Sequence, residues 1–250
     1  FSMLLEHLDK TGSQIPTLAK AGIGGSAVPR GMIERLARYG CKVLQLWGMT
    51  ETSPLGTIAT EVPALEKLPA DERSAILSMQ GRLRWGLDGR IVDSEGNELP
   101  ADGASQGMLW IRGPWVSNGY FGSDENVLDK HGWFPTGDVA TLDKYGYLHI
   151  TDRVKDVIKS GGEWISSLEI ENLASSISGV RQAAVVAAYH PKWEERPLLV
   201  LVTEKHCAPT REEVLQHLRG RIASWWMPDD VVFVDELPMT ATGKVSKLAL

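Results

Sequence analysis

The sequence lacks the features that mark several classes of protein. It has only two cysteines in 250 residues, Cys41 and Cys207, which are far apart and outside any metal-ligand spacing. It has no apolar run of about 18 residues, the length that suggests a transmembrane helix. The net charge of −6 provides no basic surface for nucleic acid. These absences predict a protein of the reducing cytoplasm with no transmembrane segment and no nucleic-acid partner.

The composition that remains is that of an ordinary globular protein. With 43% hydrophobic and 23% charged residues, the chain has enough length for one large or two modest domains. The six histidines form no ligand cluster and no catalytic-triad spacing. The chain begins at Phe1 within a helical pattern, so we expect that the natural N-terminus and any targeting signal lie outside it.

The densest stretch of chemistry runs from residue 131 to residue 171. In its first part, Gly137 and Asp138 stand between an aromatic segment and an apolar segment, which predicts a turn that enters a strand. A carboxylate there can accept hydrogen bonds from a diol such as ribose. The alternative is that Asp138 only caps the turn.

A predicted hairpin follows. Asp143–Gly146 is a turn signal, and residues 147–150 read as a half-buried, alternating strand. The charged cluster 151–156 after this strand is either a solvated exit or a functional junction. In the functional interpretation, Arg153 holds a phosphate or ribose and Lys155 is the joint between two bodies.

The next segment predicts a close backbone approach and then a capped helix. Gly161 and Gly162 remove the side chains that would block such an approach, although a Gly-Gly pair is often only a turn. Ser166 and Glu169 have the spacing of a capping box, and the helix that they open has an apolar stripe.

Residues 1–55 alternate between helix and strand patterns, which predicts a parallel sheet. Candidate ligand loops, residues 24–27 and 47–51, follow the two predicted strands, at the edge where such sheets bind ligands. The alternative is that Trp47 belongs to the core and that Glu51 is an acidic residue in a first helical turn.

Short strand patterns over residues 81–120 predict a small β-rich region. Its core is predicted to contain Trp110, Trp115, Tyr120 and Phe121. Beyond residue 155 the pattern predicts a small α+β domain, with a second capping box at Thr210 and Glu213 and a helix that continues to Ile222.

Four segments in register resemble the adenylate-forming superfamily, which includes acyl-CoA synthetases, nonribosomal-peptide adenylation domains and luciferases. The segments are GGSAVP (24–29), QLWGMTETSP (45–54), the run 131–171, and LPMTATGKVSK (237–247). The forms GGEWISSLEIE and KWEERP are most similar to medium-chain fatty acyl-CoA and methylmercaptopropionate CoA ligases. The superfamily's Ser/Thr/Gly-rich phosphate loop has no counterpart here, so the chain resembles the C-terminal portion of such an enzyme.

The resemblance implies an α/β fold in three parts. Residues 1–80 would end a large αβ subdomain, residues 81–154 would form a small distorted β-barrel, and residues 155–250 would form a mobile α+β domain. The hinge would lie at Lys155 and Asp156.

The resemblance also implies roles for individual residues. Thr50 would bond the α-phosphate, Glu51 would hold Mg²⁺, and Lys244 would be the essential lysine. Other residues would bind ATP or AMP: Gly24, Gly25, Ser26, Ala27, Trp47, Gly48, Met49, Asp138, Ile150 and Arg153. The coenzyme A and thiolation residues would be Lys159, Gly161, Gly162, Glu163, Trp164 and Glu195.

The implied activity is a ligase that joins a carboxylic acid to coenzyme A through an acyl-adenylate, with Trp47 and Pro54 bounding the acyl pocket. Two alternatives remain: transfer to another acceptor, either a carrier protein or oxygen, and a non-catalytic nucleotide-binding module. The isolated fragment is expected to be inactive. A homodimer is left open, because neither repeats nor heptads occur.

Overall fold

The computed structural model describes residues 1–25, 28, 30–123, 125–204, 206–240 and 245–250. The chain divides into two compact units, Phe1–Ile150 and Thr151–Leu250. The predicted boundaries after residues 80 and 154 stay predictions, as does the small barrel. None of the helices formed by the described residues has the length and apolar character that a bilayer crossing requires.

The first unit is built on one large mixed sheet. Its described helices are α1 (Ser2–Thr11), α2 (Arg30–Arg38) and α3 (Ala70–Leu77). Its strands are β1 (Lys20–Ile23), β2 (Lys42–Trp47), β3 (Thr57–Ile58), β4 (Gly81–Leu83), β5 (Asp88–Val92), β6 (Gly107–Arg112), β7 (Phe134–Leu142) and β8 (Tyr147–Arg153), the last of which continues into the second unit. The sheet order is β1-β2-β3-β4-β8-β7-β6-β5.

The predicted parallel arrangement is confirmed for β1 and β2, which pair from Lys20 opposite Lys42 to Ile23 opposite Gln45. Their close packing depends on a glycine. A Cβ at Gly22 would lie 3.0 Å from Cδ1 of Leu46.

The predicted hairpin between β7 and β8 is confirmed. One carboxylate oxygen of Asp143 accepts the amides of Tyr145 and Tyr147, each at 2.8 Å, and Gly146 has a φ of 80°. The predicted alternation in β8 is wrong, because Tyr147 and Leu148 are both fully buried. Leu148 packs in the central core, while the Tyr147 hydroxyl reaches the carbonyl of Thr60.

The predicted aromatic core of residues 110–121 is wrong in part. Tyr120 and Phe121 are 52% and 109% exposed. They lie in an irregular segment beyond β6, where no strand alternation directs them inward. Trp110 is half-buried beneath the guanidinium of Arg90, whose Cζ lies 5.4 Å from the ring centroid.

Over its described residues, the second unit packs two α-helices against a smaller sheet. The helices are α4 (Ser167–Ala174) and α5 (Arg211–Leu218), and the strands are β9 (Ile158–Ser160), β10 (Glu163–Ile165), β11 (Val180–His190), β12 (Glu194–Thr203) and β13 (Asp230–Phe233). The order is β10-β9-β12-β11, with β13 parallel to β12. The core between them includes Ile170, Val185, Leu199 and Val214.

Of the two predicted capping boxes, the one at Thr210 forms in full, whereas at Ser166 only the bond from the Glu169 amide to the Ser166 hydroxyl is present. The Ser166 hydroxyl accepts the Glu169 amide at 3.1 Å, and Thr210 and Glu213 make the full reciprocal box. The predicted continuation of α5 to Ile222 is wrong, because the helix ends at Leu218 ahead of Gly220, which has a φ of 77°.

Candidate functional site

Two predicted ligand loops leave the same edge of the large sheet. β1 and β2 are parallel, so their carboxyl ends lie at the same edge. Gly24 and Gly25 follow β1 at this edge, and Gly48 to Glu51 follow β2. A Cβ at Gly24 would lie 2.7 Å from the carbonyl oxygen of Leu46, so this glycine is required by strand packing. The other two residues predicted for this loop, Ser26 and Ala27, lie outside the described residues.

The loop after β2 is organised by a residue that the sequence analysis missed. Thr52 is fully buried, and its hydroxyl accepts the Met49 amide at 2.9 Å and donates to the Pro54 carbonyl at 2.6 Å. A Cβ at Gly48 would lie 1.8 Å from the same Pro54 oxygen, so only glycine fits there. This tight loop fixes the backbone that carries Thr50, which is exposed.

Two predicted nucleotide residues from distant parts of the sequence meet. The indole N–H of Trp47 donates to Oδ2 of Asp138 at 2.8 Å, and Asp138 is only 4% exposed. The ring of Trp47 also packs against Gly56, whose Cβ would lie 2.4 Å from Cζ3. Trp47 is therefore both a packing residue and the hydrogen-bond donor that orients a buried carboxylate.

The prediction that Gly137 and Asp138 form a turn that enters a strand is wrong, and so is the alternative that Asp138 caps such a turn. Asp138 lies inside β7, at an irregularity in its pairing with β6. Gly137 has a φ of 75°, and the Thr136 hydroxyl accepts the Asp138 amide at 3.1 Å while it donates to the Leu109 carbonyl at 2.9 Å. This arrangement is typical of a β-bulge, a device that redirects a side chain.

Glu51 is held by a partner that the sequence analysis assigned to the core. Its Oε1 accepts the Tyr120 hydroxyl at 2.7 Å, and its carbonyl accepts the Ser117 amide at 2.8 Å. The hydrogen bond to Glu51 raises the pKa of the Tyr120 phenol above its ordinary value. Glu51 lies in a 3₁₀ turn, so the alternative of a first-turn acidic residue also describes its position.

The site fits Mg²⁺ only as an ion shared with a substrate. Within the part of the chain that the structure describes, no three His, Cys, Asp or Glu side chains converge as a metal cluster. Mg²⁺ commonly takes one or two carboxylates and completes its shell with substrate phosphates and water, so the single carboxylate of Glu51 is sufficient.

The charged cluster 151–156 begins inside β8, which runs to Arg153 and not only to residue 150 as predicted, and it is not simply a solvated exit. Asp152 is only 4% exposed and accepts the Arg153 amide at 2.7 Å. The Arg153 carbonyl then accepts the amides of Asp156 and Val157, which closes a tight turn around the exposed Lys155. Just before this cluster, the amide of Ile150 donates to the side chain of Gln80 at 2.7 Å.

The Gly-Gly pair forms the turn between β9 and β10. Gly161 and Gly162 have φ values of 59° and 88°, which other residues rarely adopt. Gly161 also lies against the indole of Trp193, since its Cβ would be 2.8 Å from Cε3, and its amide donates to the Trp193 carbonyl at 3.0 Å. Among the described residues, and apart from its chain neighbours, no atom lies within 4 Å of the Cβ position at Gly162. The pair therefore forms a turn, and one glycine also allows a close contact.

Other predicted thiolation residues gather around this turn. The Lys159 amide donates to the Glu195 carboxylate at 2.7 Å, and Trp164 lies opposite Lys159 in the β9–β10 pairing. Glu163 is exposed at the start of β10. Trp193 was missed as a member of this group, although it lies in the KWEERP segment. The remaining predicted catalytic residue, Lys244, lies outside the described residues.

Known proteins resemble this chain along nearly its whole length. Residues 1–121 match the AMP-binding enzymes, and residues 169–244 match the C-terminal domain of AMP-binding enzymes. The chain is 48% identical to the 3-methylmercaptopropionyl-CoA ligase of Ruegeria lacuscaerulensis, over 99% of this chain and 46% of that protein. It is 45% identical to the medium-chain-fatty-acid–CoA ligase of Ectopseudomonas oleovorans, over 94% of this chain and 43% of that protein.

The fold is also shared with a solved structure. The o-succinylbenzoate CoA synthetase of Bacillus subtilis, in complex with an acyl-adenylate intermediate, has a TM-score of 0.82 at 28% identity, over 98% of this chain and 48% of that one. This chain thus spans about half the length of the relatives it matches. The resemblance predicted from the four motifs is confirmed, and the chain belongs to the AMP-binding, adenylate-forming enzymes.

Proposed function

We propose that the protein is an acyl-CoA synthetase, which activates a carboxylic acid with ATP to an acyl-adenylate and then transfers the acyl group to coenzyme A. The observation that carries this proposal is the 48% identity to a CoA ligase over 99% of the chain. Because the chain covers 46% of that ligase, the activity is proposed for the whole protein.

The hydrogen bond between the half-buried Trp47 and the buried Asp138 supports the proposed nucleotide site. Trp47 holds one oxygen of the Asp138 carboxylate at 2.8 Å, so the orientation of this group is set before a ligand arrives. In our proposal, Asp138 and Arg153 bind the ribose hydroxyls and Thr50 binds the α-phosphate. The other proposed nucleotide-binding residues are Gly24, Gly25, Ser26, Ala27, Gly48, Met49 and Ile150.

The first half-reaction brings together two anions, the substrate carboxylate and the α-phosphate. When bound, Mg²⁺ supplies positive charge that stabilises phosphate oxygens. Glu51 is the residue proposed to hold it, and the hydrogen bond from Tyr120 at 2.7 Å fixes one oxygen of that carboxylate. Lys244 is proposed to stabilise the charge that builds at phosphorus, as a positioned cation does in other phosphoryl chemistry.

The second half-reaction needs a thiol acceptor and a different set of residues. We propose that Lys155 and Asp156 act as a hinge, so that the second unit serves adenylation through Lys244 and thiolation through Gly161 and Gly162. The contact between Gly161 and Trp193, and the bond from Lys159 to Glu195, support a structured wall for pantetheine. Glu163 and Trp164 complete the proposed thiolation residues.

The acyl substrate is proposed to be a carboxylic acid with a short or medium chain. Trp47 and Pro54 are proposed to bound the acyl pocket for a short or medium chain. We also propose a cytoplasmic location. Transfer of the acyl group to a carrier protein or to oxygen is the alternative that the experiment below must separate.

The experiment follows pyrophosphate release and acyl-CoA formation in parallel, with the full-length protein, ATP, Mg²⁺, coenzyme A and a series of carboxylic acids that includes 3-methylmercaptopropionate. We expect both products, with one preferred chain length. Pyrophosphate without acyl-CoA would indicate another acceptor, and the absence of both would refute the ligase.

The matched variants are Lys244→Ala and Gly162→Leu. Lys244→Ala should reduce pyrophosphate release to a small residual rate but retain acyl-CoA formation from supplied acyl-adenylate. Gly162→Leu should do the reverse, because the open space at Gly162 would be filled. Equal loss of both half-reactions in either variant would contradict its assigned role.

A further inference from the structure

One buried ion pair in the second unit is not used by the proposed mechanism. Nζ of Lys247 lies 2.7 Å from Oε1 of Glu171, and their side chains are only 17% and 14% exposed. The same ammonium donates to the Ser167 hydroxyl. Shielding two charges from water costs free energy unless both groups are well paired and hydrogen-bonded. This pair therefore differs from an exposed surface ion pair, which contributes little.

Each partner of Lys247 is itself fixed. Glu171 lies in α4, and its Oε1 also accepts the Val185 amide of β11 at 2.7 Å. Ser167 begins α4, and its amide donates to the buried Asp152 at 2.6 Å. Asp152 stands beside Arg153, at the end of β8. Lys247 thus connects the C-terminal segment to helix α4 and, through Ser167, to the charged residues at the end of β8.

The chain on both sides of residues 241–244 is also held in place. Met239 and Val245 form an antiparallel bridge, and the Ser246 amide donates to the Pro238 carbonyl at 2.8 Å. Val245 packs on a buried cluster that contains Leu237. Lys247 follows Val245 and Ser246 directly, so its ion pair with Glu171 attaches this end of the segment to α4.

We propose that Lys247 is a positioning residue for the adenylation half-reaction: its ion pair with Glu171 fixes the chain three residues beyond Lys244. The inference rests on the proposed function, because it assigns Lys247 an effect through Lys244. It is distinct from a catalytic role, since Lys247 is engaged with Glu171 and Ser167 within the second unit.

The test uses Lys247→Met in the full-length enzyme, which removes the charge and keeps most of the apolar stem. Pyrophosphate release from ATP and acid should fall about 100-fold, the effect typical of a reacting group that is misplaced by about 1 Å. Acyl-CoA formation from supplied acyl-adenylate should stay within about threefold of wild type. Glu171→Gln, which keeps an acceptor for the Val185 amide, should show the same division.

A double variant separates positioning from general stability. If Lys247 acts through Lys244, then Lys244→Ala with Lys247→Met should release pyrophosphate no more slowly than Lys244→Ala alone. Arg211→Met is the matched control, because it breaks an exposed ion pair with Asp230 in the same unit and should leave both half-reactions unchanged.

The outcomes distinguish the inference from the proposed function. If Lys247→Met slows both half-reactions by the same factor, Lys247 has only a structural role. The same conclusion follows if the double variant releases pyrophosphate more slowly than Lys244→Ala by the factor that Lys247→Met causes alone. Unchanged adenylation in Lys247→Met and Glu171→Gln would also overturn the inference, while loss in Lys244→Ala would leave the proposed function intact. If Lys247→Met does not fold, Glu171→Gln decides between these outcomes. If wild type forms neither product, the proposed function itself fails.

Discussion

Removal of the Lys247 ammonium should destabilise the second unit to an extent that depends on pH. Breaking a buried ion pair by removing one partner costs about 3–5 kcal/mol. Because the Lys247 and Glu171 side chains keep 17% and 14% exposure, we expect the lower end, about 3 kcal/mol at pH 7, for Lys247→Met. That free energy corresponds to roughly a 100-fold change in an opening equilibrium.

The pH dependence follows from the two neighbouring carboxyls. Burial raises the pKa of both Asp152 and Glu171, and the ammonium of Lys247 opposes this rise. Without the ammonium, both pKa values rise further. A carboxyl with a raised folded pKa contributes stability that is present below its unfolded pKa, about 4, and is lost as pH rises through the folded value. The difference between wild type and variant should therefore be smallest near pH 4 and grow towards neutrality.

Hydrogen exchange, corrected for intrinsic rates, measures the effect locally. The most informative amide is Val185, which donates to Glu171 in the unsubstituted protein. Its protection should fall about 100-fold at pH 7 and much less near pH 4, while amides of β6 in the first unit should be unchanged. A loss that is equal in both units, or constant across pH, would refute the reasoning.

Three contacts described above are tested by further variants. Gly24→Ala would place a methyl group 2.7 Å from a backbone carbonyl of β2 and should destabilise by about 1–3 kcal/mol. Gly31→Ala should instead stabilise by about 0.4–1 kcal/mol, because, apart from its chain neighbours and the backbone of its own helix, no atom of the described residues lies within 4 Å of its Cβ position. Thermal unfolding measures whether each substitution lowers or raises the stability as expected. Trp47→Phe should cost about 1.5–3 kcal/mol, because it removes a donor to the buried carboxylate of Asp138. Additive costs with Asp138→Asn in a denaturation cycle would show that the two side chains do not interact. Thr210→Ala should cost about 1 kcal/mol and reduce exchange protection only in the first turn of α5; unchanged protection there would count against the cap.

Local sequence signals predicted local structure well. The caps at Ser166 and Thr210 were predicted because their partners lie three residues away, within one helical turn. The hairpin at Asp143 was predicted because its side chain bonds the backbone two and four residues on. The family was predicted because four motifs occur in the expected order along the chain. No single residue would have been enough to identify it.

Long-range placement was the part that the sequence could not supply. Trp47 and Asp138 are 91 positions apart, and their contact depends on the strand order and on an irregularity in β7. Asp152 accepts the first amide of helix α4, and burial raises its pKa while the charge of Lys247, near the other end of the unit, lowers it. Tyr120 was predicted to lie in the core, because the partner of its hydroxyl, Glu51, is 69 positions away and no local pattern indicates the contact.

The crowding of two glycines against Leu46 has a consequence for suppressor genetics. At Gly22 the nearest atom is a side-chain carbon, Cδ1 at 3.0 Å, so a smaller residue at position 46 could restore the space that an alanine takes. At Gly24 the nearest atoms are the carbonyl oxygen at 2.7 Å and Cβ at 2.9 Å, which almost every residue would retain. A selection for second-site revertants should therefore recover changes at Leu46 for Gly22→Ala but not for Gly24→Ala. The first lesion can be repaired by a side chain, while the second requires the two strands to move apart.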